Sequence, residues 1–544
     1  MTTLQSRTHG VSTLILIKQL WQHLKTCLRA MHYFRMVSAT MSMLILPLAL
    51  GYLVGLFLYH FFSKDKNDSR EPPLIPQSLP FVGHILGLLS DGHIYLENLS
   101  AIYDLPIYTL RTFTTRVYVV NSPELVIAVQ RNAKNISFTP FVVAMLPRLF
   151  DVSRRDIDIA SRNHDEEDGH WGFMSDVHRS TYSVLGPGVD LDNMVRSLLE
   201  NMMIHFEELS NSPGGEAVTI DLFSWVRRTI TAASTSAVYG PENPFTCQQG
   251  LETAFWDLEQ QLTVLLLGIL PRFTARKACR GRAKLDAAMQ RYFKRGGHEE
   301  GSGLVKARYH AGKKHGLSLK AISAFELGNC IGVLINSVPT TFWLLYHIFS
   351  CPELLSSIRE ELLSLITITG TIPVLKLQKL CPLLLATFKE VLRYRTHSSS
   401  SRYVRHETLL DGRYLLKKGS IIQIPGAVIH RNPDLWAADA RDFNPRRFLK
   451  NPISALSSSA SLNSAGSDHS TDSANDLPNN SLALKRASFR AFGGGATLCP
   501  GRHFATSTLL AVIAMMVLRF DITPVSYIHF PSIFERSKSL KTCP

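Results

Sequence analysis

Short, regular cysteine spacings are missing from this sequence. The chain has 544 residues, and its cysteines lie far apart, at Cys27, Cys247, Cys279, Cys330, Cys351, Cys381, Cys499 and Cys543. Disulfide frameworks and zinc sites use closely spaced cysteines, so this scatter favours neither of them. It indicates a reducing compartment for the main part of the chain.

A basic stripe interleaved with aromatic residues is missing as well, although the formal net charge is +14. Surfaces that bind nucleic acid concentrate Lys and Arg in such stripes, so nucleic acid is not an expected partner. A membrane surface or an acidic protein partner explains the excess of positive charge better. A solvated basic surface with no dedicated partner is the alternative.

Charged residues are absent from Met36 to Phe62. A helix of this length exceeds the roughly 30 Å hydrocarbon core of a bilayer, so we predict a membrane anchor over residues 36–62. A cleaved signal peptide and a buried core helix are the alternatives. The excess length disfavours the first, and the polar run SKDKNDSRE that follows disfavours the second. Residues 1–35 precede the anchor as an extension of unknown role.

Prolines are concentrated directly after the predicted anchor, at Pro72, Pro73, Pro76 and Pro80. Proline fixes φ and favours extended backbone, while Gly83 permits a turn after them. Residues 63–83 are therefore predicted to form a charged, proline-rich hinge that holds a globular body against the membrane.

The body of the chain has mainly helical periodicity. Apolar residues recur at 3.6 spacing in LDNMVRSLLENMMIHFEEL, SAFELGNCIGVLINSVPTTFWLLYHIF and PELLSSIREELLSL, whereas IYTLRTF, RVYVVN and RYLLKKGSIIQIPGAVI are β-like. Residues 451–486 are rich in Ser, Asn and Asp and are expected to be an unfolded surface loop. The sequence thus predicts a mainly α body with a small β portion.

Glycines surround one cysteine in FGGGATLCPGRHFA, residues 492–505. Because glycine has no Cβ, Gly493, Gly494, Gly495 and Gly501 let backbone N–H groups turn toward the Cys499 sulfur. The helix predicted to follow adds the positive end of its dipole. We therefore predict a low-pKa sulfur that ligates a soft metal centre or acts as a nucleophile. A structural turn with a buried cysteine is the alternative.

A possible charged cluster precedes this loop. In FKEVLRYR, Glu390 and Arg393 stand at i and i+3 on one helical face and can form a charge-assisted pair. In DFNPRRFL, Arg447 follows a turn-forming proline and is a candidate third member. Surface pairs of this kind are common and contribute under about 1 kcal/mol, so the pair alone identifies no function.

Together, these motifs resemble those of the cytochrome P450 family of haem-thiolate enzymes. FGGGATLCPG is similar to the haem-binding loop, EVLR to the Glu-x-x-Arg pair and FNPRRF to the Pro-x-Arg-Phe element, in the family's chain order. The likeness covers roughly residues 70–520. It implies the cytochrome P450 fold, with one large haem domain, residues 84–544, behind the membrane anchor.

The resemblance also implies roles for individual residues. Cys499 would be the proximal ligand of the iron of haem b, Phe492 would shield the sulfur, and Gly495 would let the loop approach the porphyrin. Arg402, in SSSSRYVRHET, matches the position from which an arginine reaches a haem propionate. The implied cofactor-binding set is Cys499, Phe492, Gly493, Gly495, Gly501 and Arg402, and the implied structural triad behind the haem is Glu390, Arg393 and Arg447.

The distal helix departs from the family pattern. Most members carry Ala/Gly-Gly-x-acid-Thr there, whereas this chain has INSVPTTFW, with Pro339 in place of the threonine. Proline cannot donate a hydrogen bond to the carbonyl of the preceding turn, so the helix is expected to kink or open. Asn336, Ser337 and Thr340 are candidates for an oxygen and proton relay in the resulting notch. Ordinary helix side chains satisfied within the helix are the alternative for each.

Three further departures concern the rest of the chain. Thr497 stands where a basic residue commonly meets a propionate, and GHWGFMSDVHRSTYSVLG lacks Trp-x-x-x-Arg, which leaves His178 or Arg179 as weak substitutes. The terminal stretch SYIHFPSIFERSKSLKTCP replaces the usual β-hairpin that lines the substrate pocket. This ending is expected to weaken catalysis.

The variant distal motif and CPGR are similar to a subgroup that includes sterol 7α- and 12α-hydroxylases, prostacyclin synthase and fungal secondary-metabolism enzymes. The resemblance implies a monooxygenase that uses O2 and oxidises a hydrophobic sterol or terpenoid at the endoplasmic reticulum membrane, as a single-pass protein with a cytoplasmic catalytic domain. Because no nucleotide-binding fingerprint is present, electrons would come from NADPH only through cytochrome P450 reductase. The alternatives are a haem-thiolate isomerase or dehydratase that needs no external electrons, an inactive haem-binding protein, and a membrane protein without haem.

Overall fold

The computed structural model describes residues 49–55, 68–77, 79, 83–112, 115–163, 170–210, 217–268, 270–369, 372–397, 399–449 and 477–525. The predicted extension, residues 1–35, lies outside the described residues, as do most of the predicted anchor and the terminal stretch from residue 526. Residues 49–55 are helical, and Leu50, Leu53 and Val54 are at least half exposed there.

The described chain is mainly helical with a few short strands. The α-helices are α1 Gly83–Asp91, α2 His93–Tyr103, α3 Pro123–Arg131, α4 Thr139–Leu149, α5 Arg154–Ser161, α6 Phe173–Leu185, α7 Val189–Ser210, α8 Leu222–Tyr239, α9 Pro244–Cys247, α10 Leu251–Gln260, α11 Leu262–Leu267, α12 Pro271–Thr274, α13 Arg276–Lys294, α14 Gly303–Lys314, α15 Leu319–Phe349, α16 Pro352–Thr369, α17 Leu377–Leu380, α18 Pro382–Arg395, α19 Gly426–His430, α20 Pro433–Trp436, α21 Leu477–Ser488 and α22 Arg502–Arg519. Short 3₁₀ helices are Gly297–Glu299, Val374–Lys376, Pro445–Phe448 and Gly495–Thr497. The strands are β1 Ile107–Arg111, β2 Arg116–Val120, β3 Ile136–Ser137, β4 Ser399–Val404, β5 Thr408–Leu410, β6 Tyr414–Leu416 and β7 Ile421–Pro425. The predicted mainly α fold with a small β portion is confirmed.

The chain forms two compact units, of which the first comprises residues 1–125 and 404–424. In this unit β1 pairs antiparallel with β2, and β2 pairs in parallel with β7. A tight hairpin joins β5 to β6. The alternating apolar side chains of β1 and β2 bury one face together with Ile75 and Leu96.

The proline-rich stretch is part of this first unit. The backbone N–H of Thr109 donates to the Pro73 carbonyl at 2.8 Å, and the Ile75 N–H donates to the Thr109 carbonyl at 3.0 Å. The prolines do hold the backbone extended around Leu74, which forms a bridge with β1. The described end of the predicted hinge is therefore an added edge of the sheet.

The second unit comprises residues 126–403 and 425–544 and contains most of the helices. Helix α15 packs against α8, α13, α18 and α22 and supplies much of the buried core. Helices α15 and α22 are long and apolar enough to cross a membrane, but 56% and 67% of their apolar windows are buried within the protein. Their burial is that of core helices, so among the described residues they add no support for a membrane span.

A small aromatic cluster joins the two sides of the predicted insert. The rings of Phe448 and Phe489 lie 5.6 Å apart, and Trp436 packs against both. Between them, residues 450–476 lie outside the described chain, but α21 begins at Leu477. The prediction of an unfolded loop over the whole of residues 451–486 is therefore wrong at its end, because LALKRAS consists largely of good helix formers.

Candidate active site

The cysteine loop connects α21 to α22 and is fixed by its own backbone hydrogen bonds. The Cys499 N–H donates to the Phe492 carbonyl at 2.8 Å, and the Leu498 N–H donates to the Gly495 carbonyl at 3.1 Å. The Gly493 N–H donates to the Arg490 carbonyl at 3.0 Å. The sequence FGGGATLC thus folds into a closed turn that places Cys499 just before α22.

Two of the predicted glycines are required by backbone conformation. Gly493 has φ +75° and Gly495 has φ +61°, in the left-handed region that favours glycine. A Cβ at Gly493 would lie 2.9 Å from the Thr497 carbonyl oxygen. Gly501 differs, because its φ is −76° and a Cβ there would meet only the Cys499 Sγ, at 3.8 Å. The prediction that Gly501 supplies conformational freedom is wrong.

The Cys499 sulfur is largely buried, and this burial raises the pKa of its thiol. Hydrogen bonds from the backbone N–H groups of Gly501 and Arg502, and the positive charge of Arg502, act to lower that pKa but do not outweigh burial. The predicted low pKa is therefore wrong for the chain alone. The glycines and the helix N-terminus are visible in the sequence, but the burial of the sulfur is not. A bound metal ion would change this pKa, because a coordinating metal deprotonates a thiol outright.

Phe492 begins the cysteine loop and contacts Cys499 through its backbone. Its carbonyl accepts the Cys499 N–H, and its ring is 6.4 Å from that of Phe388 on α18. The ring is half-buried. Shielding of the sulfur by Phe492 remains a prediction.

The predicted charged triad is brought together in the interior. Arg393 on α18 donates from Nε and Nη2 to both carboxylate oxygens of Glu390, at 2.8 and 2.7 Å, and both side chains are fully buried. Arg447, in the 3₁₀ helix Pro445–Phe448, donates from Nε to the same carboxylate at 3.2 Å. This is a buried bidentate ion pair, not the exposed helix pair that its sequence spacing alone would suggest.

Arg393 also organises the chain around it. Its Nη1 donates to the carbonyls of His430 and Ala440 at 2.7 and 2.6 Å, and its Nη2 donates to that of Asp442 at 2.9 Å. One guanidinium thereby fixes the path of the segment that leads to Arg447. Spacing in the sequence predicts the pair but not these carbonyl partners.

Two buried arginines flank the cysteine loop without a described carboxylate partner. Arg402 donates from Nη2 to the Thr497 hydroxyl and from Nη1 to the Ser401 carbonyl at 2.7 Å. Arg490 is only 2% exposed, and none of its guanidinium nitrogens has a hydrogen-bond partner in the described chain. Burial lowers the pKa of Arg402 to about 10. The pKa of Arg490 is also lowered to about 10, first by burial and then by the charge of Arg402. Arg490 was not among the predicted site residues.

The predicted distal residues lie close together on α15. Ser337 Oγ donates to the Val333 carbonyl and Thr340 Oγ1 donates to the Asn336 carbonyl, each at 2.7 Å. The donor of each hydroxyl is therefore used within the helix. The chain is helical from Leu319 to Phe349 without a break, so the helix does not open at Pro339. A bend there, and a relay role for these residues, remain predictions.

Helix α6 reaches the cysteine loop by a residue that the sequence did not indicate. The Tyr182 hydroxyl donates to the Leu498 carbonyl, and the His178 ring lies 4.6 Å from the Tyr182 ring. Arg179 instead stacks over Trp171, with 4.0 Å from its guanidinium carbon to the ring centre. In the sequence, the one feature that indicates this position is that Tyr182 stands at i+4 from His178.

The donor set fits a metal-centred cofactor that carries carboxylates. A soft sulfur at the end of a glycine turn suits iron or another soft metal. The unpaired nitrogens of Arg490 are buried donors that need an acceptor, and carboxylates match guanidinium geometry. Haem supplies both an iron and two propionates, so these features define a haem-thiolate site in a mainly helical protein.

Comparison with known proteins agrees with this class. The family model for cytochrome P450 matches residues 72–543, and the chain belongs to that family. It is 34% identical over 497 residues to the cytochrome P450 monooxygenase nodJ of Hypoxylon pulicicidum, with 89% of each chain covered. A cytochrome P450 monooxygenase of Gibberella zeae is 26% identical, with 86% of this chain and 85% of that protein covered. Cytochrome P450 7B1 of Mus musculus is 24% identical, with 86% and 87% covered.

These findings confirm the predicted family and the predicted enzyme class. The chain is a cytochrome P450 monooxygenase, an oxidoreductase, and its relatives include both fungal enzymes and a cytochrome P450 7B1. The family implies a haem iron with a thiolate ligand, O2, a small-molecule substrate and a redox partner.

Proposed function

We propose that this protein is a membrane-bound haem-thiolate monooxygenase that oxidises a hydrophobic sterol- or terpenoid-like substrate in secondary-metabolite biosynthesis. The observation that carries the proposal is the closed Cys499 loop beside two buried arginines. The substrate class rests on the likeness of the distal motif to the subgroup that contains sterol hydroxylases. The charge-free segment at residues 36–62 supports attachment to a membrane. The endoplasmic reticulum and a cytoplasmic catalytic domain are part of the proposal through the likeness to the sterol hydroxylase subgroup.

In this proposal, the residues of the chain divide into three tasks. Cys499 holds the iron, and Arg402 binds a propionate with the guanidinium that Thr497 orients. Glu390, Arg393 and Arg447 fix the segment behind the loop, so that the loop keeps its shape. A thiolate-ligated haem supplies activation of O2 with electrons from NADPH through cytochrome P450 reductase.

The distal residues would place polar groups, mostly hydrogen-bond acceptors, close to the substrate. Because Pro339 has no N–H, the Ile335 carbonyl lacks the usual helical donor and is open to a water or substrate hydroxyl. The hydroxyls of Ser337 and Thr340 already donate to helix carbonyls, so their oxygens would act as acceptors. Asn336 is exposed on the same helix and supplies an amide donor.

The spectrum of the ferrous carbon monoxide complex tests the cysteine assignment. The purified wild-type protein is expected to show the red-shifted Soret band of a thiolate-ligated haem, and Cys499→Ser is expected to lose it. Cys279→Ser is the matched control, because Cys279 is also a half-buried free thiol of the second unit. A red-shifted band that survives in Cys499→Ser would overturn the proposal.

A second candidate function is a haem-thiolate isomerase or dehydratase. The distal helix favours it because Val338 and Pro339 stand where the usual relay has its acid and its threonine. Turnover of a hydroperoxide or alcohol substrate with and without NADPH and reductase separates the two. Conversion that continues unchanged without NADPH excludes the monooxygenase and supports the second function.

A further inference from the structure

We propose that Arg490 binds a haem propionate together with Arg402, and so takes over the task of the basic residue that Thr497 replaces. This inference rests on the proposed haem-thiolate function and assigns a cofactor-binding role to a residue outside the recognised motifs. It is carried by the burial of Arg490, by its unpaired donors and by its place beside the cysteine loop.

Unpaired donors are the first part of the argument. A buried guanidinium with five N–H groups loses its hydration on folding and needs acceptors in return. Arg393 shows how the same fold meets this need, since its nitrogens reach one carboxylate and three carbonyls. Arg490 is equally buried, yet its Nε, Nη1 and Nη2 meet no acceptor among the described residues. An acceptor from outside the chain completes the site.

The position of the guanidinium is the second part. A Cβ built on Gly494 would lie 2.6 Å from Arg490 Nη1, so the side chain crosses directly beside the cysteine loop. Its backbone is held in place, because the Arg490 N–H donates to Nε2 of the buried His430 at 2.7 Å. The backbone of Arg490 is therefore fixed, while its guanidinium lies unpaired beside the loop that carries Cys499.

The charge balance is the third part. Arg402 also contacts the loop, where its Nη2 donates to Thr497, and its positive charge acts on Arg490. In the described chain, neither arginine pairs with a carboxylate. Two buried cations near one another repel, and an uncompensated buried charge is costly. The ligand must therefore be anionic, and its carboxylates must reach both guanidinium groups.

Thr497 takes a different role in this arrangement. Its hydroxyl accepts from Arg402 and donates to the Gly494 carbonyl at 3.2 Å. With both functions of the hydroxyl used, Thr497 orients Arg402 and leaves the anion to the guanidinium groups. A basic residue missing at one position of the loop is thus compensated by Arg490, seven positions earlier.

Haem release by the purified full-length holoenzyme tests the proposal. Transfer of haem to an excess of a scavenging apoglobin is expected to be roughly 10- to 100-fold faster for Arg490→Gln than for wild type, because a charge-assisted hydrogen-bonded contact is lost. Arg486→Gln is the matched control, since Arg486 is exposed and only four residues away. It is expected to release haem at the wild-type rate.

Haem dimethyl ester identifies the propionate as the ligand. The ester removes the negative charges that would face both Arg402 and Arg490, so wild type loaded with it is expected to release it at least as fast as Arg490→Gln releases native haem. In Arg490→Gln only the contact with Arg402 is left to lose, so esterification is expected to accelerate haem release from this variant less than from wild type. An equal effect of esterification on both proteins would show that Arg490 binds no propionate.

The cofactor-free proteins separate ligand binding from a structural role. Without an anion, Arg490 is an unpaired buried charge, so apo Arg490→Gln is expected to unfold at a higher urea concentration than apo wild type. Lower stability of the apo variant, including failure to fold, means that Arg490 is structural and overturns the inference. If wild type shows no red-shifted Soret band, the proposed function itself fails. If the band is present but release rates are equal, only the role of Arg490 fails.

Discussion

Removal of Glu390 is expected to be among the most damaging single changes in the second unit. In Glu390→Ala, the fully buried Arg393 keeps three carbonyl partners but loses the only counter-charge that the described residues give it. Breaking a buried pair by removing one partner costs about 3–5 kcal/mol. Since domains of ordinary stability unfold with about 5–15 kcal/mol, roughly a fifth or more of the stability would be lost.

Urea unfolding followed by far-ultraviolet circular dichroism measures this loss. Glu407→Ala is the control, because the Glu407–Lys417 pair has a similar distance, 3.2 Å, but a carboxylate that is 54% exposed. Removal of that surface pair is expected to cost under about 1 kcal/mol. Equal shifts of the urea midpoint in the two variants would refute the claim that burial makes the Glu390–Arg393 pair critical.

Two further predictions concern pH and the loop. Burial lowers the pKa of both His430 and His347 to about 3. Between about pH 6.5 and 3, the unfolded chain therefore binds a proton at each histidine, whereas the folded chain does not. The free energy of unfolding thus falls with acidification, by about 1.4 kcal/mol per pH unit for each histidine. His430→Gln is expected to lower this slope by one proton in urea titrations at successive pH values, and an unchanged slope would contradict the assignment. Gly495→Ala is expected to lower the haem content of purified protein, because φ is +61° and the new Cβ would lie 3.0 Å from Gln130 Cγ; Gly501→Ala, which meets no such contact, is the control.

Local motifs were predictable from the sequence, and properties that depend on burial were not. The spacing of Glu390 and Arg393 places them on one helix face in any context, and the structure brings them together as expected. The pKa of Cys499 was predicted in the wrong direction, because glycines and a helix N-terminus are visible in the sequence while desolvation is not. Arg490 was overlooked for the same reason, since only the tertiary structure shows that its donors are buried and unpaired.

The fold shows the same division. Strands β1 and β2 and the long helices follow from periodicity, and the Ser122 hydroxyl caps the start of α3 by accepting from the Leu125 N–H at 3.3 Å. The start of α21 was missed because low-complexity composition was extended over residues whose helix propensity is high. Pro339 was expected to open α15, but the helix packs on several neighbours, which hold it continuous.

The aromatic contact between Phe448 and Phe489 determines how the chain tolerates changes in length. These residues lie before and after positions 450–476 and α21, and their rings meet at 5.6 Å, so the described parts of the chain on the two sides come together there. The entropic cost of closing a flexible loop, expressed as a free energy, rises only slowly with loop length, by about 0.6 kcal/mol for each doubling. Insertions and deletions between positions 450 and 476 are therefore expected to have little effect on the cysteine loop that follows.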